Sequence, residues 1–80
     1  MITSAQLRAA RALLGIDRKT LAEAAEVSVP TIQRMEAGGG IVKGNVDTLT
    51  KIVEALDRAG VELLNSGGRG VRFKEPPAHE

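Results

Sequence analysis

Asp17-Arg18-Lys19-Thr20-Leu21-Ala22-Glu23-Ala24-Ala25-Glu26-Val27-Ser28-Val29-Pro30-Thr31-Ile32-Gln33-Arg34-Met35-Glu36 is the stretch on which the reading of this 80-residue chain turns. Asp17 suits a helix N-cap, because a short carboxylate can accept one of the free N–H groups of a first turn. Leu21, Ala22 and Ala25 then fall on one helical face, and the run ends near Glu26. Val27 and Ser28 form a break. Ser28 caps the next helix, and Pro30 is tolerated in its first turn, where the N–H it lacks would have no partner. Ile32 and Met35 turn that helix inward until the glycines at 38–40 stop it. Two short helices separated by such a break, the second opening on small polar residues and containing Gln33 and Arg34, meet the requirements for entering the DNA major groove. Spacing alone leaves an ordinary helical bundle open as well.

Upstream, Thr3 and Gln6 have the form of a capping box, and Leu7, Ala10 and Leu14 recur at helical spacing until Gly15. This predicts a helix over 4–14. Downstream, Ile41 to Gly44 extends the glycine-rich segment into a long, loose loop. Asn45 then caps a fourth helix, with Thr48 three positions on and an apolar stripe of Val46, Leu49, Ile52, Val53 and Leu56 that Gly60 closes. The period changes after that. Val61 and Leu63 alternate with Glu62 and Leu64, residues 65–70 are rich in turn formers, and Val71 and Phe73 alternate with Arg72 and Lys74, which predicts a β-hairpin. Pro76 and Pro77 end regular structure, so a disordered tail is expected over 76–80. The division is thus a helical domain at 3–59, a hairpin at 60–75 and the tail.

Composition bounds the rest. Eighty residues make one domain, with 42% apolar residues but Phe73 as the only aromatic, so the core is small. With no cysteine there is neither a disulfide nor a thiolate metal site, and association with a second subunit is a natural source of additional stability. No apolar run reaches the roughly 18 residues of a membrane span and no secretory pattern opens the chain, so a cytoplasmic protein without membrane contact is expected. Net charge is only +1, yet residues 1–44 carry six Lys or Arg against four acids while residues 45–80 carry five against six. A polyanion-facing surface therefore belongs to the first half, and packing and assembly to the second.

Taken together, Leu7-Arg8-Ala9-Ala10-Arg11 with Leu14-Gly15-Ile16, Leu21-Ala22 with Val27-Ser28, Thr31-Ile32-Gln33-Arg34-Met35-Glu36 with Gly38, and Thr48-Leu49 with Ala55-Leu56 resemble the Cro/CI-type helix-turn-helix regulators, also called the xenobiotic-response-element-like family. The resemblance covers about residues 3 to 58. It implies a mainly α fold, a compact bundle of four to five helices, here followed by the β-hairpin. It further implies double-stranded DNA as ligand, a recognition helix over about 28–37, transcription regulation as role and no cofactor. Arg11 and Glu36 would form a structural ion pair.

The side chains facing DNA in that reading are Arg18, Lys19, Ser28, Val29, Pro30, Thr31, Gln33, Arg34 and Lys43. Arg34 fits guanine O6 and N7 by its fork of donors, or a phosphate. Gln33 fits adenine, a phosphate or plain solvent. Ser28 and Thr31 offer hydroxyls to phosphate oxygens, and Ser28 is first of all a cap. Arg18, Lys19 and Lys43 suit phosphates, which position a protein without specifying sequence. Many relatives carry Gln where this chain has Arg18, and polar side chains where it has Val29 and Pro30, which leaves apolar contact with a thymine methyl at those two positions.

An enzyme is not expected. The single His79 falls in the tail, no metal cluster or Ser-His-Asp set can be assembled around it, and the glycines at 38–40 follow a helix and lack a P-loop pattern. Glu23, Glu26 and Glu54 read as solvated helix faces. A lone two-stranded ribbon is marginal in water, so Val61, Leu63, Leu64, Val71 and Phe73 are the expected dimerisation element of a homodimer. The alternative is an antitoxin-like module that also binds a partner protein through the hairpin.

Overall fold

Each helix begins on a side chain that accepts a backbone N–H from its own first turn. In the computed structural model, which describes residues 2–74, α1 spans Ser4–Leu14, α2 Arg18–Ala25, α3 Val29–Ala37 and α4 Val46–Arg58. Thr3 Oγ1 accepts from Gln6 N (3.1 Å), Asp17 Oδ1 from Thr20 N (2.8 Å), Ser28 Oγ from Thr31 N (3.2 Å) and Asn45 Oδ1 from Thr48 N (2.8 Å). Gln6 Oε1 in turn accepts from Thr3 N at 2.8 Å, closing the capping box. The expected tail at 76–80, with Pro76, Pro77 and His79, lies outside the described residues. Among the described residues no helix is long and apolar enough to cross a membrane.

α1 stops at Gly15, whose φ of 69° lets its N–H turn back to Ala12 O. α2 stops the same way at Glu26, with φ 59° and Val27 N donating to Ala22 O at 3.0 Å, although Glu26 is the one non-glycine with positive φ among the described residues. The helices close on a core of Leu7, Ala10, Leu21, Ala22, Ala25, Ile32, Met35, Leu49, Ile52, Ala55 and Leu56. Val61, just beyond α4, joins it, and so do Ile2 and Val42.

That last pair corrects the reading of residues 38–44 as a loose loop. Val42 N donates to Ile2 O at 2.9 Å, Ser4 N donates to Gly40 O at 2.9 Å, and Thr3 bridges Ile41, so the segment is stitched to the start of the chain. Burial of Ile2 and Val42, at 2% and 4% exposure, supplies the driving force. The stripe of α4 is also shorter than expected. Val46 is 75% exposed and Val53 half-buried, so the buried face of α4 narrows to Leu49, Ile52, Ala55 and Leu56.

β1 (Val61–Leu64) and β2 (Gly70–Phe73) pair antiparallel, with Val61 opposite Phe73, Leu63 opposite Val71 and Leu64 opposite Gly70. Val61 is buried, Leu63 and Val71 pack against the core, and Phe73 is 53% exposed. The hairpin lies on α1 as well as α4. Resting on α4 alone, it would have left Leu64 bare; Leu64 is half-buried, and Gln6 explains why. The two hydrogens of its Nε2 are shared among Leu64 O (3.0 Å), Gly70 O (3.1 Å) and Asn65 Oδ1 (3.0 Å), fastening the mouth of the hairpin to α1.

Candidate nucleic-acid interface

The helical period of α3 sorts its side chains. Ile32, Met35 and Glu36 are buried, while Pro30, Gln33, Arg34 and Ala37 are exposed and Val29 and Thr31 half-buried. Because the buried set locks against α1 and α2, the exposed face is held in a fixed attitude instead of being free to roll. Along one edge Ser28 Oγ and Thr31 Oγ1 share a hydrogen bond of 2.8 Å, and Arg34 Nη2 donates to Thr31 Oγ1 at 3.3 Å. The two hydroxyls thus support each other and steady the guanidinium, which stays exposed.

Beyond Arg34, the glycine segment and the start of α4 enclose an open cleft of about 720 Å³. Thr31, Arg34 and Lys43 meet there with Ser4, Asn45 and Thr48. Two cations beside the first turn of α4, whose leading N–H groups have no partner within the helix, suit an anion. Ser4, Asn45 and Thr48 in this cleft escaped the sequence reading. Asn45 and Thr48 were legible only as a cap, and Ser4, which donates through its hydroxyl to Met35 O, carried no signal.

Arg18 and Lys19 form a separate group at the start of α2. Lys19 is exposed. Arg18 Nε donates to Glu36 Oε1 at 2.9 Å, with 41% of its side chain still exposed. Arg11 approaches the same carboxylate from α1, Nε to Oε2 at 2.7 Å and Nη2 to Oε1 at 3.0 Å, and its Nη1 donates to Ile16 O. Arg8 Nη1 donates to the Glu36 carbonyl oxygen. The two side chains that the family resemblance pairs, Arg11 and Glu36, are therefore in contact, with Arg18 joining them.

The Glu36 side chain has no exposed surface. Burial pushes its carboxyl upward, but the hydrogen bonds and charges of Arg11 and Arg18 outweigh this and leave it below the ordinary glutamate range, so it is ionised. Arg11 is raised in turn, chiefly by its bond to Glu36. Asp17 is lowered by the Thr20 N–H it accepts.

Ser28, Thr31, Arg34 and Lys43 are thus brought together on the α3 edge and its cleft, Gln33 projects beside them, and Pro30 and Val29 sit at the leading end of the helix. Of the hairpin residues expected at a subunit contact, Phe73 is the one left mainly exposed. Compared with known proteins, the chain is matched over residues 7–63 by the family model described as helix-turn-helix. No curated protein matches it.

Proposed function

The chain belongs to the Cro/CI-type helix-turn-helix family, a DNA-binding and non-enzymatic family, and on that premise we propose that it is a sequence-specific regulator of transcription, a cytoplasmic repressor reading double-stranded DNA with α3. The observation that carries this reading is the division of α3 itself. Ile32, Met35 and Glu36 anchor one face while Pro30, Gln33 and Arg34 stand clear on the other, and a single α-helix is what a major groove admits.

Arg34 is assigned to a base edge, steadied by Thr31, and Gln33 to an adjacent one. Lys43 with the cleft at the start of α4, and separately Arg18 with Lys19 at the start of α2, are assigned to phosphates. Selection of bound fragments from a random duplex pool tests the scheme. Enrichment of one motif is expected, and Arg34→Ala should then weaken binding by about 1–3 kcal/mol and relax preference at one base pair. An equal loss on every sequence would move Arg34 to a phosphate, and a pool that enriches nothing would defeat the reading.

The functional unit is proposed to be a homodimer joined through residues 61–74. Two features support it: among the described residues the sheet has only two strands, with no further strand on either edge, and Phe73 is exposed on it. Two-fold pairing would set two α3 helices about one DNA turn, roughly 34 Å, apart. Phe73→Glu leaves the buried Val61 in place and should give a monomer in sedimentation, with the palindromic motif reduced to a half-site. Wild-type protein sedimenting as a monomer at all concentrations would refute the dimer, and a stable complex with a different protein would favour the antitoxin-like alternative.

A further inference from the structure

The charge cluster beneath α2 holds more than a structural ion pair needs. One carboxylate, Glu36, is served by two guanidiniums, and they are not equivalent. Arg11 commits both Nε and Nη2 to it and Nη1 to the Ile16 carbonyl, so all three of its nitrogens are engaged. Arg18 commits only Nε. Among the described residues its two terminal nitrogens have no hydrogen bond, and its side chain is 41% exposed where Arg11 is 22% exposed.

We propose that Glu36 is a positioning residue for DNA binding, holding Arg18 by its inner edge so that the outer edge, Nη1 with Nη2, presents a fixed fork to a backbone phosphate at the start of α2. The proposal rests on the DNA-binding function above and adds to it a role for a residue that touches no DNA. A guanidinium has two edges able to bind an oxyanion in bidentate fashion, and the bond through Nε uses one and leaves the other. A free arginine on a helix surface would lose its rotamer freedom on meeting a phosphate, whereas this one has already lost much of it in the fold.

Arg11 has a second part in the arrangement. Paired with Arg18 alone, Glu36 would cancel the charge meant for the phosphate. With Arg11 supplying a second cation, and counting Arg8, Lys19 and the capping carboxylate Asp17 beside them, four cations face two carboxylates and two positive charges remain. Asp17 is itself occupied by the Thr20 N–H, which keeps its charge directed at the helix and not at the fork.

The test is the salt dependence of binding to the selected duplex, measured below the thermal transition for wild type, Arg18→Gln, Glu36→Gln and the double variant. If Arg18 holds one phosphate, Arg18→Gln lowers the slope of log affinity against log salt by about 0.9, which amounts to about fivefold in affinity at 0.15 M salt. Glu36→Gln should lower affinity in the presence of Arg18 and add no further loss in its absence. An unchanged slope in Arg18→Gln, or the same Glu36→Gln loss in both backgrounds, overturns the proposal. If Glu36→Gln does not fold, Arg18→Lys decides, since a single ammonium cannot donate to Oε1 and grip a phosphate as a fork. Its affinity should fall at least twofold, and wild-type affinity would overturn the idea. Wild-type protein showing no salt-sensitive binding at all would instead overturn the DNA-binding function.

Discussion

The α2–α3 pair and the hairpin are held by opposite means. α2 and α3 bury Leu21, Ala22, Ala25, Ile32 and Met35 and, beneath them, a carboxylate, while what they show to water is Lys19, Ser28, Gln33 and Arg34. The hairpin buries Val61 completely, keeps Leu63, Leu64 and Val71 half covered, and shows Phe73. A polar face over a locked frame is suited to a charged, hydrated partner, and an exposed aromatic on a two-stranded ribbon to an apolar one. The described residues thus divide into a polar face on a locked frame and an incompletely covered element.

The largest effect that would sharpen this contrast is the removal of one side chain from each region. Ile32→Ala, at a site with no exposure, should cost about 2–5 kcal/mol in denaturant melts, because the cavity beneath α3 cannot collapse onto its neighbours. Phe73→Ala, measured at a concentration where the protein is monomeric, should stay within about 0.5 kcal/mol. Similar losses at the two sites would break the comparison.

The acid limb of the stability curve isolates the polar part of the frame. Because Glu36 lies below the ordinary carboxylate range in the folded protein, its ionised form contributes stability that is present above the unfolded value, about 4.3, and is lost as pH falls through the lower folded one. Wild type should therefore lose stability relative to Glu36→Gln as pH drops below about 4, and the two melting curves should draw together. Parallel curves down to pH 2 would show that Glu36 is not coupled to folding.

The smallest effect concerns the turn between α2 and α3. A side chain in the left-handed region costs about 1–2 kcal/mol, and glycine there returns part of that by its larger unfolded freedom, so Glu26→Gly should stabilise by about 0.5–1 kcal/mol. A loss in the melt would mean that the Glu26 side chain contributes something its exposed position does not show.

The fold was largely legible because its signals are local. Thr3 with Gln6, Asp17, Ser28 and Asn45 each announce a helix start within four residues of sequence, and the change from helical to alternate spacing at Val61 announces the hairpin. What was not legible depends on residues far apart. Ile2 and Val42 find each other across the chain, and neither lies in a periodic run, so the glycine segment looked loose. Val46 belongs to the stripe of α4 by spacing, but whether a neighbour covers it is decided by tertiary packing, which spacing does not carry. For the candidate site, the α3 residues could be named from their spacing and family resemblance, whereas the hold of Glu36 on Arg18 could not, because a salt bridge between the first residue of one helix and the last turn of the next has no sequence period.

Gln6 has a consequence for motion. Its carbonyl oxygen accepts the Thr3 amide proton at the start of α1, and its amide nitrogen donates to the carbonyl oxygens of Leu64 and Gly70 at the hairpin mouth. One planar group therefore serves as both the first rung of a helix and the clasp of a ribbon some sixty residues away, with separations of 58 and 64 positions. Rotating it away to free one end releases the other. Fraying of α1 and opening of the ribbon then become a single event, and in hydrogen exchange the amide of Thr3 should keep time with those of β1 and β2.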